Sequence, residues 1–154
     1  MPILLPLFLL AFSTSGTKPV AAPVSLKNQA CSAITRSEVE QAVGVPVAEG
    51  IGEESTCEFT TAGGLVVISI QRLPAELNLE EQIAAVKSAI PDGVLHRVAG
   101  LGQTAFLLDI PGTGTQLHVI EANRRYVMVS VFGYGVGSGP ADMAEKLYRR
   151  CSPQ

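Results

Sequence analysis

The chain has 154 residues, of which 47% are hydrophobic and 16% are charged, and its formal net charge is −3. This length fits one folded domain. The acidic balance argues against a nucleic-acid partner, because binding to phosphates requires clustered Lys and Arg. The arginine pairs at 124–125 and 149–150 are too small for such a cluster and are interpreted as solvated positions in a turn and at a helix end.

The N-terminal residues carry a targeting pattern. Residues 3–12 form an apolar run of signal-peptide length, shorter than the roughly 20 residues that a membrane-spanning helix needs. Small residues predict cleavage after Ala22, with a site after Ser15 as the competitor. The predicted organisation is a signal peptide at 1–22, a flexible leader at 23–30 and a single α+β domain at 31–154. We expect an extracytoplasmic location, periplasmic or secreted, with no transmembrane span in the mature chain.

Helix signals occur at three places in the predicted domain. Thr35 and Glu38 form a capping box ahead of a short helix, and Gly44 is placed to end it. Asn78 predicts the start of a second helix with one apolar stripe, and Pro140 lies in the first turn of a third. The buried face predicted for the third helix consists of Ala144, Leu147, Tyr148 and Cys151.

Period-two alternation and turn residues predict strands between the helices. They are placed at 45–48, 56–61, 65–73, 94–98, 104–110, 116–122 and 126–132, with a turn at 49–54. Short turns between successive strands favour antiparallel pairing over an open α/β sheet, which would need more helical crossovers. The predicted fold class is α+β: an antiparallel sheet of about six or seven strands with helices mainly on one face. The predicted order is α-β-β-β-α-β-β-β-β-α.

Three cysteines are present, and in an exported protein a pair should form a disulfide. A bridge between Cys31 and Cys57 would fasten the start of the first helix to the sheet and stabilise the fold by about 3 kcal/mol through chain entropy. Cys151 continues the buried face of the last helix, where an unpaired cysteine acts as a small hydrophobe. The buried position of Cys151 favours the pairing of Cys31 with Cys57, and a bridge to Cys151 is the alternative.

Few residues suggest catalysis or metal binding. His96 and His118 each fall inside a predicted strand without a ligand at metal spacing, so we expect no metal and no cofactor. The glycine-rich segment 133–140 lies between a strand and a helix, but it lacks the spacing of a nucleotide-binding loop and is interpreted as a connection. Gly135 and Gly137 in this segment are still candidate binding positions.

The last strand is apolar on both faces. Tyr126, Met128 and Phe132 face one way, and three valines face the other. A sheet covered on one face only would expose part of this area, which predicts a surface for an envelope protein or a small apolar ligand. The alternative is a central strand that is covered on both faces.

Several short motifs resemble those of small cell-envelope proteins of unknown function that occur among bacterial lipoproteins. The matching positions, within residues 31–134, are Cys31, Ile34, Thr35, Glu38, Val39, Gly44, Cys57, Phe59, Gly100, Leu101, Gly102, Ala105 and Phe106. The resemblance implies a periplasmic or surface α+β domain with a Cys31–Cys57 disulfide, and it implies no catalytic residues. The chain departs from the pattern because it has no lipid-attachment cysteine and has the additional Cys151.

These observations predict a non-enzymatic binding or accessory domain of the bacterial cell envelope. The alternatives are an extracytoplasmic hydrolase, built around His96 or His118, and a structural subunit of an envelope complex.

Overall fold

The computed structural model of the chain describes residues 29–75 and 78–152. The predicted signal peptide and most of the predicted leader lie outside the described residues. The elements are α1 (Gln29–Ala33), α2 (Arg36–Val43), β1 (Ile51–Glu53), β2 (Thr56–Thr60), β3 (Leu65–Arg72), α3 (Leu79–Ala89), β4 (Val94–Val98), β5 (Thr104–Ile110), β6 (Gly114–Ile120), β7 (Arg125–Phe132) and α4 (Ser138–Cys151).

The strands form one antiparallel sheet of seven strands in the order β1-β2-β3-β7-β6-β5-β4. Two meanders, β1 to β3 and β4 to β7, are joined because β3 pairs along its whole length with β7. This arrangement confirms the predicted α+β class and the antiparallel sheet.

Helix α1 corrects the boundary of the predicted leader. The leader was predicted to extend to residue 30, whereas Gln29 and Ala30 belong to α1 and Ala30 is fully buried. The helix packs against β2 and β3 and carries Cys31, so the tether to Cys57 holds a segment too short to be stable alone.

The first strand also lies elsewhere than predicted. Residues 45–48 contribute only one bridge, from Val47 to Thr61, and β1 occupies part of the predicted turn. A two-residue turn is responsible, because Glu53 pairs with Thr56 and Glu54 adopts a left-handed φ of 48°. No glycine marks this turn in the sequence, so the pattern rules missed it.

The helix termini follow the sequence signals closely. Thr35 and Glu38 form the capping box of α2, and Gly44 ends that helix with a φ of 76°. Asn78 and Glu81 form a second capping box at the start of α3. Each pair satisfies backbone N–H groups that the helix itself leaves unpaired.

The two faces of the sheet differ in their cover. On the first face, Ile68, Val129 and Leu117 lie side by side in register and join the main core with α1, α2 and α4. Four residues of α4 are buried there, as the sequence predicted: Ala144, Leu147, Tyr148 and Cys151. Helix α3 covers the second face, and its Gln82 donates a hydrogen bond to the hydroxyl of Tyr126 of β7.

The C-terminal end of α4 is fixed to the turn between β6 and β7 through one carboxylate. Glu121 accepts hydrogen bonds from Arg125 at 2.8 and 3.0 Å, from Ser152 at 2.7 Å and from Tyr148 at 3.2 Å. Burial raises the pKa of Glu121, but the hydrogen bonds from Ser152 and Arg125 outweigh it and the pKa is lowered overall. Arg125 also donates to the carbonyl of Cys151 at 2.9 Å, so helix and turn are bonded at two points.

Candidate functional site

The structure confirms the cysteine pairing that the sequence favours. Cys31 and Cys57 form a disulfide with their Cα atoms 5.0 Å apart, and Cys151 is free and buried. Burial raises the pKa of the Cys151 thiol to about 12, so it remains protonated and unreactive in the folded protein. The bridge fastens α1 to β2 and is structural.

The candidate binding residues of the last strand share one face but differ in their surroundings. Tyr126, Met128 and Phe132 all lie on the second face. Tyr126 is buried beneath α3, whereas Met128 and Phe132 are partly exposed. The second face therefore has two parts, one covered and one open.

We call the open part the apolar strip. It comprises Leu65, Val67, Met128 and Phe132, all partly exposed. Leu65 is directly opposite Phe132 across the β3–β7 pair, and Val67, two residues further along β3, points to the same face. Side chains at such positions are close enough to touch, so the strip is one continuous surface.

Gly135 and Gly137 lie in the connection between β7 and α4, as predicted. Their φ angles are 77° and 103°, a region that favours glycine, and an added Cβ would contact nothing within 4 Å at either position. Tyr134 anchors the start of this connection, with its hydroxyl 2.6 Å from the hydroxyl of Thr61. These glycines are explained by backbone conformation, and their role in binding stays a prediction.

A buried aromatic and polar cluster lies in the covered part of the second face. The ring of His118 stacks on Phe106, with the centroids 4.4 Å apart and the planes 7° apart. Its Nδ1 atom is 2.5 Å from the hydroxyl of Tyr126, which also accepts a hydrogen bond from Gln82 of α3 at 3.0 Å. Three strands and one helix thus meet at this cluster.

The hydrogen bonds determine where the proton of His118 lies. Burial lowers the pKa of His118 from 6.5 to about 4, so the ring is neutral near pH 7. If Tyr126 accepts from Gln82 and donates to Nδ1, its hydroxyl proton is hydrogen-bonded and the ring proton lies on Nε2, whereas a ring proton on Nδ1 would leave the hydroxyl proton without an acceptor in the described part of the chain; we therefore assign the ring proton to Nε2. Within residues 29–75 and 78–152, the buried Nε2 atom has no hydrogen-bond partner. The cluster therefore contains a buried donor without an acceptor.

Burial also raises the pKa of Tyr126 to about 12, with the Gln82 hydrogen bond opposing the shift. The phenol therefore stays protonated at any physiological pH and can act as the donor to His118.

A cavity of about 240 Å³ lies at the N-terminal end of α3. Ile120 lines it together with Asn78 and Leu79 of the helix start, and Glu121 and Arg124 lie at the same opening. Ile120 is on the second face, directly opposite Tyr126 and two residues from His118. Ile120 therefore lies between the cavity and Tyr126 of the cluster.

The other histidine has a different environment. His96 lies on the edge strand β4 and is 53% exposed, with Nε2 3.2 Å from a carboxylate oxygen of Asp109. Thr115 donates to the second oxygen of that carboxylate at 2.7 Å. Because the Thr115 hydroxyl is bonded to Asp109, it is not positioned as a nucleophile that His96 would activate. The alternative of a hydrolase stays a prediction.

Sequence reasoning identified Tyr126 and both histidines but missed their partners. Phe106 was a position of the family resemblance and Gln82 lay in a predicted helix, but neither was placed beside a histidine, and Asp109 was not singled out. Alternation does place Phe106, His118 and Tyr126 on a common face once the pairing of β5, β6 and β7 is known. That pairing was the missing information.

Comparisons with protein-family models, with curated proteins and with solved structures gave no match to this chain. Among the helices of residues 29–75 and 78–152, none combines the length and the apolar character required to cross a membrane.

Proposed function

We propose that this protein is a secreted or periplasmic, non-enzymatic binding domain of the bacterial cell envelope, which holds an apolar segment of another envelope protein against its apolar strip. The observation that carries the proposal is the strip itself. Met128 and Phe132 stay partly exposed although the same strands are fully covered on the first face.

The chemistry of the strip suits a polypeptide partner. Two buried serines, Ser69 and Ser130, lie on the same face beside its apolar side chains. Gln116 donates a hydrogen bond to Ser130 at 3.2 Å. Apolar side chains of a partner would cover the remaining exposed area of the strip.

The location is supported by the disulfide and by the signal peptide predicted at residues 1–22. Disulfides persist in oxidising compartments such as the periplasm and the extracellular space and are rare in the cytosol. The Cys31–Cys57 bridge fits such a compartment.

A site-specific photo-crosslinking experiment tests the function. A benzophenone amino acid replaces Phe132 in the full chain, which is exported in its own host, and the same amino acid replaces Ile51 as the control. Ile51 is a suitable control because it is 71% exposed but lies on the edge strand β1, away from the strip. We expect one discrete envelope protein to be crosslinked from position 132 and not from position 51.

The variants Met128→Thr and Val67→Thr should reduce this crosslink at least several-fold while the melting temperature shows that the fold persists. A crosslink of equal yield from both positions, no crosslink from position 132, or no loss in the folded variants would contradict the proposal.

A further inference from the structure

Helix α3 closes the layer of side chains between itself and the sheet, but its own contacts with the rest of the domain are few. The sheet side of the layer is fully covered, with Phe106, Leu108 and His118 at 0–2% exposure. Of the eleven residues of α3, all within the described part of the chain, none is buried. Segments with so few buried contacts open at a small fraction of the global unfolding free energy.

Only a few polar contacts fix α3 in place. Arg97 of β4 forms an ion pair with Glu80 at 2.7 Å, but both side chains are more than half exposed, so the pair contributes little. Among the described residues, the other polar contact from α3 to the sheet is the hydrogen bond from Gln82 to Tyr126. Movement of the helix away from the sheet therefore breaks one hydrogen bond to the buried cluster and one exposed ion pair.

Beneath this helix is a buried donor that lacks an acceptor. His118 is 2% exposed, and its Nε2 atom has no partner among the described residues. Because an unpaired buried donor is unfavourable, a molecule that supplies an acceptor oxygen at this point gains a hydrogen bond on binding.

The ring stack of Phe106 and His118 and the neighbouring cavity define the shape of that molecule. The parallel rings of Phe106 and His118 offer an aromatic surface on which a further flat ring can pack. The cavity at the N-terminal end of α3 has about 240 Å³ and is lined by Ile120, the residue directly opposite Tyr126, and this volume limits the molecule to a small one.

We propose that α3 is the movable cover of a binding pocket for a small, flat, apolar molecule with one acceptor oxygen. The molecule enters through the cavity beside Asn78 and Ile120, lies beneath α3 against the ring stack, and accepts a hydrogen bond from Nε2 of His118. This site borders the apolar strip at Met128, which lies directly opposite His118, but it is covered by α3 and does not use the partner that the strip binds.

The test compares two ring compounds of nearly the same size, acetophenone with a carbonyl oxygen and ethylbenzene without one. Each is titrated into the isotope-labelled mature protein, and binding is followed by the amide and side-chain NMR signals. We expect acetophenone to shift signals of α3 and of residues 104–108, 116–120 and 126, and to bind about tenfold more tightly than ethylbenzene, as one hydrogen bond predicts.

Two matched variants distinguish the hydrogen bond from apolar packing. His118→Phe keeps a flat ring on Phe106 but removes Nε2, so it should bind both compounds with equal affinity. His96→Phe makes the same change on the exposed edge of the sheet and should keep the tenfold preference. Equal binding of both compounds by the unchanged protein, no binding of either, shifts outside the α3 layer, or a preference that survives in folded His118→Phe would overturn the proposal.

Failure here can be told apart from failure of the proposed function. Val67→Thr, in a part of the strip that does not pair with His118, should leave acetophenone binding unchanged, and His118→Phe should leave the crosslink from position 132 unchanged.

Discussion

The two histidines of the chain respond differently to folding, because one is buried in the α3 layer and the other is exposed on an edge strand. His118 is neutral in the folded protein, since burial lowers its pKa from 6.5 to about 4. The unfolded chain, with an ordinary pKa, binds a proton at higher pH than the folded chain does. Stability from this residue is therefore complete above about pH 6.5 and is lost as the pH falls toward 4.

We expect His118→Phe to reduce the pH dependence of stability in this window. Linkage between the two pKa values predicts that the unchanged protein loses about 2 kcal/mol of unfolding free energy from this residue between pH 7 and pH 5, and the variant should lack that loss. Urea denaturation at both pH values measures the difference. His96→Phe, the matched control, should keep the part of the pH dependence that comes from His118, and a His118→Phe variant with unchanged dependence would contradict the assigned burial.

At the scale of elements, α2 and α3 begin with the same motif but differ in what they bury. Both start with a capping box in which the cap side chain and the third helical residue satisfy each other's backbone N–H groups. Val39 and Val43 of α2 are buried in the main core, whereas no residue of α3 is buried within its described span. Loss of the cap should therefore have global consequences for α2 and local ones for α3.

The substitutions Thr35→Ala and Asn78→Ala test this difference. Each removes the side-chain oxygen of a cap, which is worth about 1 kcal/mol of helix stability. Thr35→Ala should lower the global unfolding free energy by about that amount, measured by urea denaturation. Asn78→Ala should lower it much less and should instead speed amide hydrogen exchange throughout α3. Equal global losses in the two variants would show that α3 unfolds only with the whole domain and is not a cover.

The positions of most elements could be predicted because their signals are local. The caps at Thr35 and Asn78, the stop at Gly44 and the buried stripe of α4 each depend on residues within a few positions of one another. The errors have two different causes. Ala30 joins α1 because β2 and β3, which follow it in the chain by more than 20 residues, cover it, whereas β1 forms through a tight turn at Glu54 that no glycine marks.

At the scale of the whole molecule, the disulfide is the covalent link between the N-terminal helix and the sheet. The bridged cysteines are 26 residues apart, and closing such a loop stabilises a protein by about 3.5 kcal/mol in the chain-entropy description. We expect the double substitution Cys31→Ala and Cys57→Ala to reduce the unfolding free energy by about this amount in urea denaturation.

A thiol titration completes the test of the pairing. The unfolded, unreduced protein should show one reactive thiol, that of Cys151, and the reduced protein should show three. The folded protein should react slowly, because the remaining thiol is buried. Three reactive thiols before reduction would show that the bridge does not form, and Cys151→Ala, which leaves the bridge intact, should destabilise far less than the double substitution.

The sequence alone determined the fold class, the main helix boundaries and the preferred cysteine pair, because hydrophobic periodicity, caps and turn residues are properties of short segments. The order and register of the strands were decided only by the tertiary structure, since pairings such as β3 with β7 join residues about 60 positions apart. That register brings Phe106, His118 and Tyr126 together beneath Gln82, with Met128 of the apolar strip directly opposite His118. A register shifted by one residue would move these side chains to opposite faces of the sheet, so only the observed pairing makes them neighbours.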